Sequence, residues 1–355
     1  MKHKYLYVFL VVLILCMVIA GCVSTKNGEI DKGTDTVLNS ENNEVNSGND
    51  GTDSEKNEAN VNTENNENPE NVDENEDKES PAKENVAKVI LIAGQSNAVG
   101  ATAYAPLKDK AADKYPTYKK GYENVKLAYF CEAGGADGAK KSYRCNFDMD
   151  GGNKQDLDDV FQKVKTGMSW TPSMFGPELG MAEYLSENYP DETFYLIKVA
   201  KGGVSIPSHW KEGGYCYDLL RDTMEICMGS LENAGYTPEI ISICWMQGEN
   251  DATNDVETAQ YADNLAFIAD EWLREEYKEY APAEGIPFVD AGISDYWKNY
   301  KEINKIKKDF AESSDINYYF DTMEEGLEYK SEPEGNVDLA HFDSLSVVKL
   351  GRLFA

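Results

Sequence analysis

Ser96 and His341 are the two residues whose types and positions could together activate a nucleophile. Ser96 lies in the stretch LIAGQSNAVG, directly after an apolar run that predicts a β-strand. A serine hydroxyl becomes a nucleophile when a base takes its proton, and histidine is the usual base. The chain has three histidines, of which His3 lies in an apolar amino-terminal segment. His209 and His341 are therefore the candidate bases.

The surroundings of these two histidines differ. His341 stands in NVDLAHFDS, three residues after Asp338. A D-x-x-H turn can bring the aspartate against the imidazole Nδ1–H, which fixes the tautomer and leaves Nε2 free to take the serine proton. His209, in SIPSHWKEGG, has only Glu212 as an acid nearby. We therefore predict that His341 is the base and Asp338 its partner, and that His209 lines the site or faces solvent.

Each candidate residue also has an ordinary structural interpretation. Ser96 could cap the next helix, and Gly202 and Gly203 could form a tight turn. Glu249 and Asp251 could likewise cap the helix that follows them. The catalytic interpretation is favoured by order and placement, because every fragment lies where a predicted strand ends or just before the last helix, within one domain.

Strand-like and helix-like segments alternate from residue 87 to the carboxyl end. Five apolar runs predict strands: AKVILIAG (87–94), VKLAYF (125–130), TFYLIKVA (193–200), PEIISICWMQ (238–247) and PFVDAGI (287–293). Segments with helical spacing separate most of these runs, and the last of them, DSLSVVKLGRLFA, closes the chain. The alternation predicts a three-layer α/β/α sandwich with a central parallel sheet.

Polar residues and glycines follow three of the predicted strands. They are GQSN (94–97), KGG (201–203) and QGEND (247–251). Open parallel sheets bind ligands beyond the carboxyl ends of their strands. The sequence therefore predicts a site where these three segments meet.

The chain divides into three segments of different composition. Residues 1–22 carry two lysines and an apolar run that ends in IAGC, which resembles a bacterial lipobox. We predict cleavage before Cys22 and lipidation of that residue, with an uncleaved membrane anchor as the alternative. Residues 23–86 hold 18 acidic residues against 5 lysines and almost no aromatic residues, which predicts a disordered linker. Either interpretation of the first segment places the rest of the chain on the extracellular face of a bacterial cell membrane.

Residues 87–355 form the predicted globular domain, with 46 acidic and 27 basic residues. This excess of acidic residues argues against binding to nucleic acid or anionic lipid, which are themselves negatively charged. Cys131 and Cys145 flank a glycine-rich loop and could pair outside the cell. Two histidines outside the signal are too few for a typical metal site, so we predict no metal and no cofactor. The oligomeric state stays open.

Several motifs, in one order along the chain, resemble the sequence blocks of the SGNH hydrolases. They are GQSNAVG, KVAKGGVSIPSHW, WMQGENDA and VDLAHFDSLSVVKLGRLFA, and FGPELGMA (175–182) is similar to a further segment. Among SGNH hydrolases they most resemble the carbohydrate esterases that include sialate O-acetylesterases and acetylxylan esterases. The G-x-S-x-G elbow of the common α/β-hydrolases is absent. The resemblance covers nearly all of 87–355 and implies a flavodoxin-like SGNH fold.

The resemblance also implies roles for individual residues. Ser96 would be the nucleophile and His341 the base, oriented by Asp338, with Glu249 as an alternative acid or a substrate contact. Backbone N–H groups of Ser96 and Gly202 would donate to the oxyanion, and the third donor would be Gln247, which we favour, or Asn250. The remaining positions near the motifs are expected to contact substrate: Gln95, Asn97, Gly203, His209 and Trp210.

The function implied is that of an extracellular serine esterase that removes O-acetyl groups from carbohydrates through an acetyl-enzyme. Aromatic residues in the loops, notably Trp170, Trp210 and Tyr143, could stack on sugar rings or could simply be packing. Two alternatives stay open. One is a non-catalytic glycan-binding lipoprotein on the same fold, and the other is a short-chain lipase or phospholipase of the same superfamily.

Overall fold

Ten strands and ten α-helices make up the part of the chain that the structure, a computed structural model, describes, namely residues 85–138 and 143–355. The strands are β1 (Val86–Gly94), β2 (Thr102–Ala103), β3 (Val125–Glu132), β4 (Tyr143–Cys145), β5 (Gln162–Lys163), β6 (Met174–Phe175), β7 (Phe194–Lys201), β8 (Thr237–Met246), β9 (Phe288–Ala291) and β10 (Asn317–Phe320). The helices are α1 (Ser96–Val99), α2 (Leu107–Lys110), α3 (Tyr115–Lys120), α4 (Leu157–Val160), α5 (Glu178–Asn188), α6 (Tyr215–Asn233), α7 (Asp255–Ala259), α8 (Tyr261–Ala266), α9 (Tyr300–Ala311) and α10 (Ser344–Phe354). Two π-helical segments, Ile206–Trp210 and Phe267–Arg274, complete the helical elements that matter for the site.

The main sheet has the strand order β10-β9-β8-β1-β7-β3-β4, and β5 also pairs with β3. The six strands from β10 to β3 are all parallel, whereas β4 and β5 run antiparallel to β3 at the edge. All eight residues of β7 are buried, as expected of a central strand that is covered on both faces. Parallel strands point their carboxyl ends the same way, so the loops after β1, β3, β7, β8 and β9 gather at one edge.

Helices cover both faces of the sheet. On one side α5 packs against α10, and on the other α6 packs on β7 and β8 while α9 packs on β9 and β10. The contact between α5 and α10 depends on two glycines. A Cβ on Gly180 would lie 1.9 Å from the carbonyl oxygen of Val348, and one on Gly351 would lie 1.9 Å from that of Pro177. Both positions must therefore lack a side chain for α10 to lie where it does.

The predicted sandwich with its parallel sheet is confirmed. The five strands expected from apolar runs are present within a residue or two of their predicted bounds. Three features were missed: the sixth parallel strand β10, the helix α9 before it, and the short antiparallel strands at the β3 edge. These segments are short or carry many charged residues, so their apolar signal is weak.

Two further predictions concern the chain ends and the cysteines. The signal segment, Cys22 and all but the last two residues of the linker lie outside the described residues, and β1 begins at Val86. None of the described helices is both long and apolar enough to span a membrane. The thiols of Cys131 and Cys145 are free, which contradicts the suggested pairing. Cys145 lies opposite Phe130 in the β3–β4 ladder, so adjacent Cys131 points to the other face of the sheet.

Candidate active site

A cavity of about 280 Å³ lies at the carboxyl ends of the parallel strands. Its wall takes residues from the loops after β1, β3, β7, β8 and β9 and from the segment before α10, among them Ser96, Gly134, Gly203, Asn250, Trp297 and His341. This is the edge where the parallel topology places ligand sites. Residues nearly 250 positions apart in sequence therefore face one space.

Ser96 is held by a tight turn between β1 and α1. Gly94 has a φ of +145°, and a Cβ there would lie 2.0 Å from the carbonyl oxygen of Met246 on β8. Only glycine permits this approach, and the next residue donates its N–H to the same carbonyl at 2.9 Å. The chain then turns directly into α1, whose first residue is Ser96. The hydroxyl is therefore presented at the cavity wall by the end of a buried strand.

His341 is oriented by Asp338. The Nδ1 atom of His341 lies 2.6 Å from Oδ2 of Asp338, and the N–H of Ala340 donates to the other carboxylate oxygen at 3.0 Å. Partial burial opposes ionisation of Asp338, but the hydrogen bond and charge of His341 outweigh it and lower the pKa of the carboxyl. With Nδ1 engaged, Nε2 is the nitrogen that can take a proton. The predicted pairing of Asp338 with His341 is present.

Ser96 and His341 line the same cavity, but over the described residues no hydrogen bond joins Ser96 Oγ to the imidazole. In substrate-free sites such bonds are commonly long and shorten only when substrate is bound. Ser96 and His341 thus share one cavity wall, while no hydrogen bond to the described residues fixes the direction of the Ser96 hydroxyl.

Asn97 holds the His341 segment against α1. Its Nδ2 donates to Glu249 Oε1 at 2.7 Å and to the carbonyl of Ala340 at 3.4 Å, and its Oδ1 accepts from the N–H of Phe342 at 3.2 Å. The side chain is buried and does not line the cavity. The predicted contact of Asn97 with substrate stays a prediction, since the hydrogen bonds of this side chain in the structure are all to protein groups. Asn97 fixes the backbone on both sides of His341.

Glu249 is buried, does not line the cavity and makes no hydrogen bond to the imidazole. Its carboxylate is fully buried, and among the described residues Oε2 has no hydrogen-bond partner. Burial raises the pKa of Glu249, although the hydrogen bond from Asn97 opposes the rise. Of the two acids considered for His341, Asp338 is hydrogen-bonded to the imidazole. Glu249 is linked to the His341 segment only through the side chain of Asn97.

The two candidates for the third oxyanion donor differ in their position relative to the cavity. Gln247 is fully buried, and its Nε2 donates to Val204 O at 3.1 Å and to a carboxylate oxygen of Asp251. Burial raises the pKa of Asp251 to about 7 despite that bond. Of the two, Asn250 lines the cavity and Gln247 does not, although no observation shows which of them donates to an oxyanion.

Gln95 and the two glycines after β7 complete the wall. Gln95 lines the cavity, but its side chain is buried and its Oε1 accepts the N–H of Asn250 at 3.2 Å, so it positions that loop. Gly202 N–H donates to the carbonyl of Glu132 at 2.9 Å, which continues the β3–β7 ladder. The N–H of Gly202, which was predicted to donate to the oxyanion, is therefore already hydrogen-bonded to Glu132. Gly203, with φ of +67°, also lines the cavity and is the next available amide.

The comparisons with known proteins decide the family. A family model described as carbohydrate esterase, sialic acid-specific acetylesterase, matches residues 86–355, which is most of the chain. The chain belongs to this family. The resemblance seen in the sequence is thereby confirmed, and the protein is a carbohydrate acetylesterase and a carboxylic ester hydrolase.

A solved structure with a TM-score just above 0.5 shows the same fold as the esterase at low identity. A protein of Arabidopsis thaliana superposes with a TM-score of 0.51 at 16% identity, over 76% of this chain and 95% of that one. NanS gives a TM-score of 0.48 at 16% identity over 76% and 95%. A carbohydrate acetylesterase from Xanthomonas citri gives 0.45 at 12% identity over 76% and 55%. The search of curated proteins found no match.

His209 and Trp210 were expected to contact substrate, and the structure gives both side chains protein contacts instead. Trp210 is fully buried, with its ring edge-on to Trp245 at 5.1 Å between centroids. His209 Nε2 lies 3.3 Å from Asp137 Oδ1, and Nδ1 lies 2.7 Å from Ser208 Oγ. The π-helical turn Ile206–Trp210 packs against α6 and α8, which turns Trp210 into the core. Neither side chain lines the cavity.

The aromatic residues that line the esterase cavity agree only in part with those predicted. Trp170 does line it, whereas Tyr143 is exposed on β4 and stacks on Phe130 with centroids 4.8 Å apart. Sequence reasoning missed Trp297. The signal was available, because Trp297 follows the predicted strand PFVDAGI and strand ends had already located the other loops.

Proposed function

We propose that the esterase removes O-acetyl groups from extracellular carbohydrates by a serine mechanism with a covalent acetyl-enzyme. The observation that carries this proposal is the shared cavity, whose wall includes Ser96 and the imidazole that Asp338 orients. A glycan-binding protein without catalysis needs neither the oriented base nor the serine. The resemblance of IAGC, which ends at Cys22, to a lipobox supports an anchored position outside the cell membrane, which protease treatment of intact cells would test.

The proposed reaction proceeds in two steps. His341 Nε2 takes the proton of Ser96 Oγ as the oxygen attacks the acetyl carbonyl carbon, and the tetrahedral oxyanion collapses as the sugar oxygen leaves with that proton. The acetyl group is then bonded to Ser96 Oγ. A water, deprotonated by the same imidazole, attacks the acetyl-enzyme, and acetate leaves as the serine regains its proton.

Three donors are proposed for the oxyanion. The N–H of Ser96 is one, and we assign the second to Gly203 because the N–H of Gly202 is held by Glu132. The third is Nδ2 of Asn250, whose backbone is fixed by Gln95. Donors placed in advance around the developing charge stabilise the transition state more than the ground state.

Asn250→Ala should lower kcat by about 10²–10³-fold with little change in KM, because one donor to the oxyanion is lost. Steady-state hydrolysis of p-nitrophenyl acetate measures this. Asn233→Ala is the matched control, since Asn233, the last residue of α6, donates to Asn153 O and does not line the cavity. An Asn250→Ala enzyme with unchanged kcat would show that a different group supplies the third hydrogen bond to the oxyanion.

The substrate class is tested by acetate release from acetylated xylan, acetylated mannan, chitin fragments and O-acetyl sialosides. We expect release from at least one of these and no hydrolysis of esters with acyl chains of about eight carbons or more, which an acetyl-sized site excludes. Efficient hydrolysis of the long-chain esters, with no acetate released from any carbohydrate, would identify a lipase instead.

A further inference from the structure

Tyr296 is an exposed aromatic residue next to a residue of the cavity wall. It precedes Trp297, which lines the cavity, and the two rings meet edge-on with centroids 5.2 Å apart. The exposed fraction of Tyr296 is 49%. The loop after β9 therefore carries one ring in the cavity and the next ring at the surface beside it.

The ring of Tyr296 also packs near that of a buried tyrosine. Its ring centroid lies 6.5 Å from that of Tyr329, which is buried and donates its hydroxyl to Asp295. Lys330 lies 3.6 Å from the same carboxylate. An exposed ring held by two other rings loses little conformational freedom when a ligand packs on it, which lowers the cost of binding.

Exposed apolar side chains also occur in the segment that carries Asp338. Val337 and Leu339 flank Asp338 in the segment that brings His341 to the cavity, and each has an exposed fraction of 41%. Apolar surface that gathers beside a site marks a contact with a ligand. The aromatic face carries negative charge density, which suits the C–H-rich face of a sugar ring.

The size of the cavity decides which part of a ligand reaches Tyr296. At about 280 Å³ it lies just below the range of pockets that enclose a drug-sized ligand, about 300–1,000 Å³. It has room for an acetylated sugar unit but not for the units joined to it. Those units must leave the cavity across its rim.

We propose that Tyr296 binds the sugar unit next to the one that carries the acetyl group. The substrate class is then an acetylated oligosaccharide or polysaccharide, not a free acetylated monosaccharide. This inference rests on the proposed function, because it requires the acetylated unit to occupy the cavity beside Ser96.

The test compares Tyr296→Ala with Tyr318→Ala. Tyr318 is a matched control with an exposed fraction of 51%, and it lines a separate cavity with Lys88 at the opposite end of the sheet. Three substrates are used: p-nitrophenyl acetate, and the acetylated oligosaccharide and acetylated monosaccharide of whichever sugar the wild type deacetylates best. We expect Tyr296→Ala to raise KM for the oligosaccharide roughly tenfold, the loss of about one good contact. Its kcat, and its kinetics on the two small substrates, should stay within about twofold of wild type, as should every value for Tyr318→Ala.

The outcomes are distinguishable. An equal loss on all three substrates would show that Tyr296 supports the loop fold, and an unchanged KM for the oligosaccharide would show that the sugar chain runs elsewhere. Wild-type enzyme that deacetylates monosaccharide and oligosaccharide equally well would also overturn the inference. If the wild type hydrolyses p-nitrophenyl acetate but releases acetate from no carbohydrate, it is the proposed function that fails.

Discussion

Ser96→Ala should abolish acetate release, with kcat lower by roughly 10⁵–10⁶-fold. Removing the nucleophile of a serine hydrolase leaves only the rate enhancement of the oxyanion donors and of binding, because nucleophile and base act as a unit. The fold should be unaffected. Among the described residues Ser96 Oγ has no hydrogen-bond partner, so alanine leaves no buried group unsatisfied.

Hydrolysis of p-nitrophenyl acetate and of the best carbohydrate substrate measures this loss. Ser173→Ala is the matched control, because Ser173 is exposed and, within the described part of the chain, its hydroxyl bonds to Thr171 alone. Mass spectrometry of enzyme trapped with a sulfonyl fluoride should place the label on Ser96. Turnover at the wild-type rate in Ser96→Ala, or a label on another serine, would show that the nucleophile is elsewhere.

Asp338→Asn should lower kcat by about 10³–10⁴-fold. The carboxylate accepts the Nδ1–H of His341, and an amide in its place can donate to Nδ1 and so stabilise the tautomer in which Nε2 cannot act as a base. The lowered pKa of Asp338 keeps it ionised at neutral pH, so this role is present under ordinary assay conditions.

Comparing Glu249→Gln with Asp338→Asn tests which of the two acids orients His341. Glu249 accepts from Asn97 and has no hydrogen bond to the imidazole, and a glutamine oxygen can replace that acceptor. We expect its kcat to stay within about tenfold of wild type, since only the positioning of the His341 segment is disturbed. A larger loss in Glu249→Gln than in Asp338→Asn would reverse the assignment of the acid that orients the base.

Burial divides the polar residues at the strand ends into two layers. Ser96, Gly203, Asn250 and His341 face the cavity, whereas Asn97, Glu249, Gln247 and Asp251 lie beneath it. The lower layer holds the loops in register through hydrogen bonds that cross from one strand end to the next. A change there should act through the position of the upper layer, so kinetic tests must include both.

Much of this site could be predicted from the sequence because its determinants are local or follow from topology. The Asp338–His341 contact is a three-residue spacing that folds within one turn, and it is present as expected. The meeting of Ser96 with Asn250 follows from parallel pairing, since any two parallel neighbours end at the same edge. Apolar runs long enough to cross a buried sheet identified the strands, and polar residues directly after them identified the loops.

The direction of each side chain was decided by the tertiary structure. Asn97 follows Ser96 on α1, yet the next position along a helix faces about 100° away, which takes it under the His341 segment. Gln247 and Asn250 follow the same strand, and only the packing of the loop against Gln95 and Asp251 turns the first inward and the second into the cavity. Motifs and spacing thus determined which segments meet, because strand order and local turns constrain the backbone. Which atoms face the ligand depended on contacts between segments distant in sequence, and these exist only once the chain is packed.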